Sequence, residues 1–414
     1  MKTQVIVSTV DQGILSAFNF ALNLALIKLW QPAEFGVYSI VFMLSYVLIS
    51  LQNALINTPY SVLVPASDNP DHLRSTLSLS NGLFLFILTL ICYALLHLPL
   101  LQQDFSGNLA ITTFFAIRLL REFLRCRWSS ELILMPVLVA DLLFVVFFLV
   151  LMGIWQSQHP LHQFSLEHLL WFLSLSQLLG MVYLLKQEFP LFTLTRWSAL
   201  PRHYAPIWDQ SRWSLVGVIT TELQNRGYIF IVGLAFGPTV VGFIQAGRVF
   251  FGPLNIITSA WTRIAKPTLA KLHAQGKRQQ FQTLTNQGAL GFLLFNLVFG
   301  VLLWLTWPWL QPQLFGDQYA GIGFVVAQWA IATLLFHLRS TYSAAIQAQN
   351  RFKPLAMATI WGASLSLGIL TILALAQASN WVIFTVIFGE IVAFGYILLL
   401  FAPQLQPRWL PERR

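Results

Sequence analysis

Apolar residues in this chain do not alternate with polar ones. They run in blocks of about 20 residues, separated by short polar or Gly/Pro-bearing stretches. A helix rises about 1.5 Å per residue, so one such block covers a hydrocarbon core of about 30 Å. Twelve blocks are predicted: 10–30, 36–58, 76–98, 107–125, 131–154, 167–186, 213–236, 240–261, 284–306, 319–339, 355–376 and 381–402. The two-residue alternation of a membrane barrel is missing, which leaves helices to satisfy the backbone within lipid. The expected fold class is all-α, a polytopic membrane protein with 12 transmembrane helices.

Composition agrees, with 57% hydrophobic and 9% charged residues. Mean hydropathy is +0.68. Charge then orients the blocks. With the N-terminus inside, the outer loops are 31–35, 99–106, 155–166, 237–239, 307–318 and 377–380, and none holds a Lys or Arg. Of the 24 basic residues, 21 fall on the inner side or at inner helix ends; Lys28, Arg226 and Arg248 do not. One-sidedness sustained over six hairpins is what the positive-inside rule predicts, and both termini are expected in the cytoplasm. Trp30, Trp155, Trp307, Trp309 and Trp381 mark outer ends, whereas Trp128, Trp197, Trp208, Trp213, Trp261 and Trp409 mark inner ends. The formal charge of +9 thus reflects inner loops, and no nucleic-acid partner is expected. No cleavable signal peptide is read: the first apolar block is full length, without a small-residue cleavage pattern. Cys92 and Cys126 fall near opposite faces, so neither a disulfide nor a metal cluster is expected.

Residues 187–212 interrupt the pattern with Pro190, Pro201 and Pro206 among Arg196, Arg202 and Arg212. They read as an inner-surface linker with amphipathic pieces, dividing an N-terminal lobe, 1–186, from a C-terminal lobe, 213–414. The lobes look related. Shifting by 206 residues sets Pro32-Ala-Glu-Phe-Gly36-Val on Pro238-Thr-Val-Val-Gly242-Phe, Asn19 on Asn225 and Ser16 on Glu222. A shift of 221 sets Phe115-Ala-Ile-Arg118 on Phe336-His-Leu-Arg339. Two pseudo-symmetric six-helix lobes are the layout these matches imply.

Polar stripes locate the candidate chemistry. The first block carries Gln12, Ser16, Asn19 and Asn23 at helical spacing; the second carries Ser45, Gln52, Asn53 and Asn57. The seventh holds Glu222, Asn225 and Arg226, and the eighth Gln245, Arg248, Asn255, Ser259 and Thr262. Facing lobes with such stripes enclose a hydrated central cavity; the bland alternative is helix–helix hydrogen bonding. Arg226 and Arg248 flank the turn Gly237-Pro238-Thr239 at similar heights. An arginine at mid-membrane costs about 2.5–3.5 kcal/mol on insertion scales, so each must face protein, water or ligand. Glu222 and Arg226, four apart, either neutralise one another or belong to a site. Asp141 and Glu390 either pair with these arginines or couple an ion, H+ or Na+. Lys28 reads as a snorkelling residue. Arg118, Arg121, Arg125 and Arg127, like Arg263, Lys266, Lys271, Lys277 and Arg278, set topology or attract anionic head groups. His159, His162 and His168 lack a metalloprotease spacing, and no Gly-rich phosphate loop exists, so no cofactor, metal or enzyme activity is read.

The opening Asp11-Gln-Gly-Ile-Leu-Ser16-Ala-Phe-Asn19-Phe, followed by Pro32-Ala-Glu-Phe-Gly36-Val-Tyr38, resembles the start of bacterial polysaccharide-biosynthesis membrane proteins. These are O-antigen-type lipid-linked oligosaccharide flippases of the multidrug/oligosaccharidyl-lipid/polysaccharide exporter superfamily. Gln347-Ala-Gln-Asn350-Arg-Phe-Lys353 resembles that family's second-half inner loop. The resemblance implies a V-shaped pair of lobes and alternating access. The substrate it implies is an undecaprenyl-diphosphate-linked glycan, crossing the inner membrane with Arg226 and Arg248 as cationic cavity residues. A monomer among membrane lipids, working beside glycan polymerase machinery, is expected. Two rivals stand: a multidrug antiporter of the same superfamily, and a membrane-embedded glycan polymerase or ligase.

Overall fold

The computed structural model describes residues 2–65, 67–96, 107–185, 197–349 and 351–401. Those residues are helical almost throughout. In chain order the helices are α1 (Lys2–Leu29), α2 (Pro32–Gln52), α3 (Thr58–Leu63), α4 (Pro70–Leu96), α5 (Asn108–Ser130), α6 (Met135–Gln158) and α7 (Leu166–Leu185). They continue with α8 (Leu200–Val249), α9 (Gly252–Ala274), α10 (Arg278–Leu314), α11 (Ile322–Ala348), α12 (Phe352–Leu375) and α13 (Val382–Phe401). Nine stretches among the described residues are long and apolar enough to cross a membrane, one of them, Arg226–Val249, containing a turn at Gly237; Leu166–Val182 is a shorter apolar helix. The chain is a multi-pass membrane protein.

Each of the twelve expected blocks falls on helix, yet length and apolarity mark fewer than twelve as spans. The reasons are local. Helix α5 carries Arg118, Arg121, Glu122, Arg125 and Arg127. The eighth block is cut by a turn at Phe250–Phe251, and its second piece, α9, holds Arg263, Lys266 and Lys271. The cut has a cause: Pro253 has no N–H to offer the Val249 carbonyl four residues back. The linker reading is also modified. Residues 187–196, Arg196 among them, lie outside the described residues, but 200–212 form the start of α8. Pro201 is tolerated there because a first-turn N–H has no helical partner.

Helix α8 is two helices. Gly237 takes φ 80° and ψ 172°, a conformation open to glycine, so 200–236 and 238–249 are separate segments. They double back on each other, since Tyr228 before the turn receives hydrogen bonds from Gln245 and Arg248 after it. The predicted hairpin is therefore present.

The chain clusters into two units, Met1–Leu22 with Val37–Leu223, and Asn23–Gly36 with Gln224–Arg414. In the first, a π-helical turn at Asn53–Asn57 joins α2 to α3 ahead of Pro59. Pro59 cannot donate to the Leu55 carbonyl, and the Tyr204 hydroxyl donates to it instead at 2.6 Å. Tyr60, Phe123, Leu124 and Leu184 are core residues there.

In the second unit, the start of α2 crosses the segment 238–249 backbone on backbone. A Cβ on Gly36 would strike the Pro238 carbonyl, and one on Gly242 would strike the Pro32 carbonyl. The contact is reciprocal under the 206-residue shift, and only a residue without a side chain fits at either place. Cys92 and Cys126 are free thiols.

Candidate functional site

A cavity of about 610 Å³ opens within the second unit. The hairpin supplies Arg226, Tyr228 and Arg248; α9 supplies Asn255, Thr258, Ser259, Thr262 and Arg263; α11 supplies Trp329, Phe336 and Ser340; α13 supplies Glu390. The turn at Gly237 is what brings Tyr228 beside Arg248. Arg248 donates from Nη1 to the Tyr228 hydroxyl at 3.2 Å. Its guanidinium lies 5.1 Å from the Trp329 ring centroid, within cation–π range. Trp329 is itself pinned by its indole N–H, which donates to the Ile244 carbonyl at 2.8 Å. Gln245 donates to the same Tyr228 oxygen at 3.2 Å, leaving the phenol O–H free to donate into the cavity. Every partner of Arg248 among the described residues is neutral, so its charge is held but not cancelled.

Glu390 differs. Arg339 grips it bidentately, Nε at 2.6 Å and Nη2 at 3.1 Å. The one carboxylate on the cavity wall is therefore already paired. Any cation it took would have to displace a guanidinium. Arg226, Arg248 and Arg263 outnumber it, and the cavity is cationic.

Behind Asn255 stands a fully buried histidine. Asn296 Nδ2 donates to the Phe292 carbonyl at 2.7 Å and lies 3.0 Å from His337 Nδ1. Nδ1 also lies 3.2 Å from Asn296 Oδ1, so the tautomer follows from the other nitrogen: Asn255 Oδ1, 3.3 Å from Nε2, can only accept, which puts the proton on Nε2 and leaves Nδ1 as acceptor. His337 thus fixes which way Asn255 presents its amide to the cavity.

The first unit holds a different arrangement. Asp141, with 1% of its side chain exposed, accepts a hydrogen bond from Arg121 Nη2 at 2.5 Å and forms an ion pair with Arg125, whose Nε lies 2.9 Å away. Arg125 also donates from Nη2 to Asp11 Oδ2 at 2.9 Å and lies 3.4 Å from Glu122. Two buried carboxylates and two guanidiniums balance one another, with the Phe144 ring 4.8 Å from Arg121.

Among the residues singled out by sequence, Arg226, Arg248, Asn255 and Glu390 come together around one cavity, and Gln245 supports it through Tyr228. Glu222 accepts a hydrogen bond from Ser50 at 2.8 Å in the first unit. The Asn225 side chain lies outside the described residues. Asn19 and Asn23 sit on α1 and do not line the cavity; Asp141 belongs to the ion cluster. Sequence reasoning missed Tyr228, Trp329 and His337, and it read Arg121, Arg125 and Arg339 as topology markers. A usable signal existed: Arg118, Arg121 and Arg125 repeat at helical spacing, and Asp11 and Asp141 are carboxylates set inside apolar blocks, where they need partners.

No protein-family model matches the chain, and no curated relative matches it by sequence. Solved structures do match. The lipid II flippase MurJ in an inward closed conformation shares 11% identity at a TM-score of 0.70, covering 97% of this chain and 87% of that one. An inward-facing multidrug resistance MATE family transporter of the MOP superfamily shares 12% at 0.67, covering 94% of both. A MOP superfamily transporter from Pyrococcus furiosus, described for the reverse polarity of its binding pocket, shares 11% at 0.58, covering 97% and 95%. The fold is that of the multidrug/oligosaccharidyl-lipid/polysaccharide exporter transporters.

Proposed function

We propose that this chain is a flippase for an undecaprenyl-diphosphate-linked oligosaccharide, acting by alternating access in O-antigen, capsule or exopolysaccharide assembly. The membrane is the bacterial inner membrane, with both termini cytoplasmic. Lobes 1–186 and 213–414 are the moving parts, and 187–212 connects them. The observation that carries this reading is Arg248: a guanidinium in an apolar helix, held by a phenol and an indole and cancelled by neither. A charge kept uncompensated at that cost calls for an anionic ligand. A diphosphate or an acidic sugar meets a guanidinium by charge-assisted hydrogen bonds. Asn255, Ser259, Thr262 and Ser340 offer donors and acceptors for glycan hydroxyls. A cavity for organic cations would instead need unpaired carboxylates, and Glu390 is paired.

Coupling to H+ or Na+ through Asp141 or Glu390 requires release of their arginines, which links any ion step to a change in helix packing. The test is surface glycan display in cells carrying Arg226→Ala or Arg248→Ala. Each variant is expected to abolish display while membrane levels of the protein stay unchanged. Normal display in both sinks the reading, and sensitivity to organic cations with intact glycan favours the multidrug antiporter.

A further inference from the structure

A second pocket, of about 230 Å³, adjoins the cationic cavity within the second unit; the two share Thr262, Phe336 and Ser340 on their walls. Its polar lining comes from two helix faces. Ser340, Ser343 and Gln347 follow steps of three and four along α11, and Lys266 stands one turn beyond Thr262 on α9. The helices approach closely because Ala265 and Ala345 pack together with Leu269 and Phe281 on another side. Arg339 also reaches this wall, but Glu390 occupies its guanidinium. Lys266, Ser340, Ser343 and Gln347 are different: none has a hydrogen-bond or ion-pair partner among the described residues.

A lysine among neutral hydroxyls and an amide, with no carboxylate beside it, repels cations and has no use for an apolar guest. It matches a compact oxyanion with several acceptor oxygens. The pocket lies along α9 beyond Asn255 and Thr262, toward the end that the charge pattern assigns to the inner face. Lipid head groups reside at that level, and the adjoining cavity leads on from it toward Arg248.

We infer that this pocket is a phosphate subsite. It holds the phosphate ester of a lipid head group while the rest of the ligand reaches into the Arg248 cavity. This rests on the cationic-cavity reading and adds a separate locus to it. Two sources offer the same chemistry: the diphosphate of a polyprenyl-linked glycan, and an anionic phospholipid.

The experiment uses the full chain in phosphatidylcholine nanodiscs, titrated with farnesyl diphosphate. Wild type is expected to bind saturably. Lys266→Gln is expected to weaken binding about tenfold, the scale of one charge-assisted hydrogen bond. Lys266→Arg, which keeps the charge, is expected to bind near wild type, so that loss in Lys266→Gln is not misfolding. Paired Ser340→Ala and Ser343→Ala changes should lower affinity several-fold. Equal binding by Lys266→Gln and wild type overturns the subsite. Loss in Arg248→Gln without loss in Lys266→Gln removes the subsite and leaves the cationic cavity. Loss in Lys266→Gln combined with normal glycan display in Arg226→Ala and Arg248→Ala keeps the subsite and removes the transport reading. Adding phosphatidylglycerol to the discs separates the sources. Competition that requires Lys266 assigns the site to phospholipid, and its absence assigns it to the diphosphate.

Discussion

Each unit buries charge, and the two do so in opposite ways. In the first, Asp11, Asp141, Arg121 and Arg125 form a cluster in which each guanidinium meets at least one carboxylate, with Glu122 as a third carboxylate at its edge. In the second, Arg339 and Glu390 close on each other, while Arg248 beside them rests on a phenol and an indole ring. A balanced cluster asks nothing of a ligand; removing one member leaves a naked charge. An unbalanced cation is the reverse: the protein already tolerates it alone, and what it lacks is a counter-charge from outside. On the proposed reading, the first arrangement serves folding and the second serves binding.

Mutations can break that comparison. Asp141→Ala leaves Arg121 and Arg125 without their shared carboxylate and should cost about 3–5 kcal/mol, as for other broken buried pairs. It should appear as lost membrane yield and a collapsed unfolding midpoint in detergent. Glu390→Gln removes two charge-assisted bonds from Arg339 but keeps a neutral acceptor in place. A loss of about 1.5–3 kcal/mol is expected on the same midpoint. Arg248→Gln should move it least, by about 0.5 kcal/mol or less, because no ionic partner is orphaned. If Arg248→Gln destabilises as much as Asp141→Ala, Arg248 is structural and the distinction fails.

How far the chain could be read without coordinates follows the same divide. Helix positions, the Gly237 turn and the cationic pair at 226 and 248 depend on residues near one another in sequence. Hydropathy period and glycine conformation carry that information directly. The pairing of Asp141 with Arg121 and Arg125, or of Glu390 with Arg339, joins helices many residues apart, and nothing local encodes which carboxylate meets which arginine. Charge topology also masked the answer. Arginines near a helix end satisfy the positive-inside pattern whether they face lipid head groups or a buried aspartate, so the tally absorbed Arg121, Arg125 and Arg339 without remainder. Arg248 stood out only because that pattern failed to explain it. Asn19 and Asn23 share α1 at helical spacing, but the 206-residue shift aligns sequence positions and carries no side-chain direction.

The reciprocal seat of Gly36 on Pro238 and Gly242 on Pro32 has a consequence of its own. The touching atoms are backbone alone, so acid, salt and reductant find no charge and no sulfur in the contact itself to act upon. The buried ion pairs elsewhere depend on charge, whereas this contact depends only on how closely two backbones can approach. It yields only to force transmitted along its two helices, or to a single added methyl group.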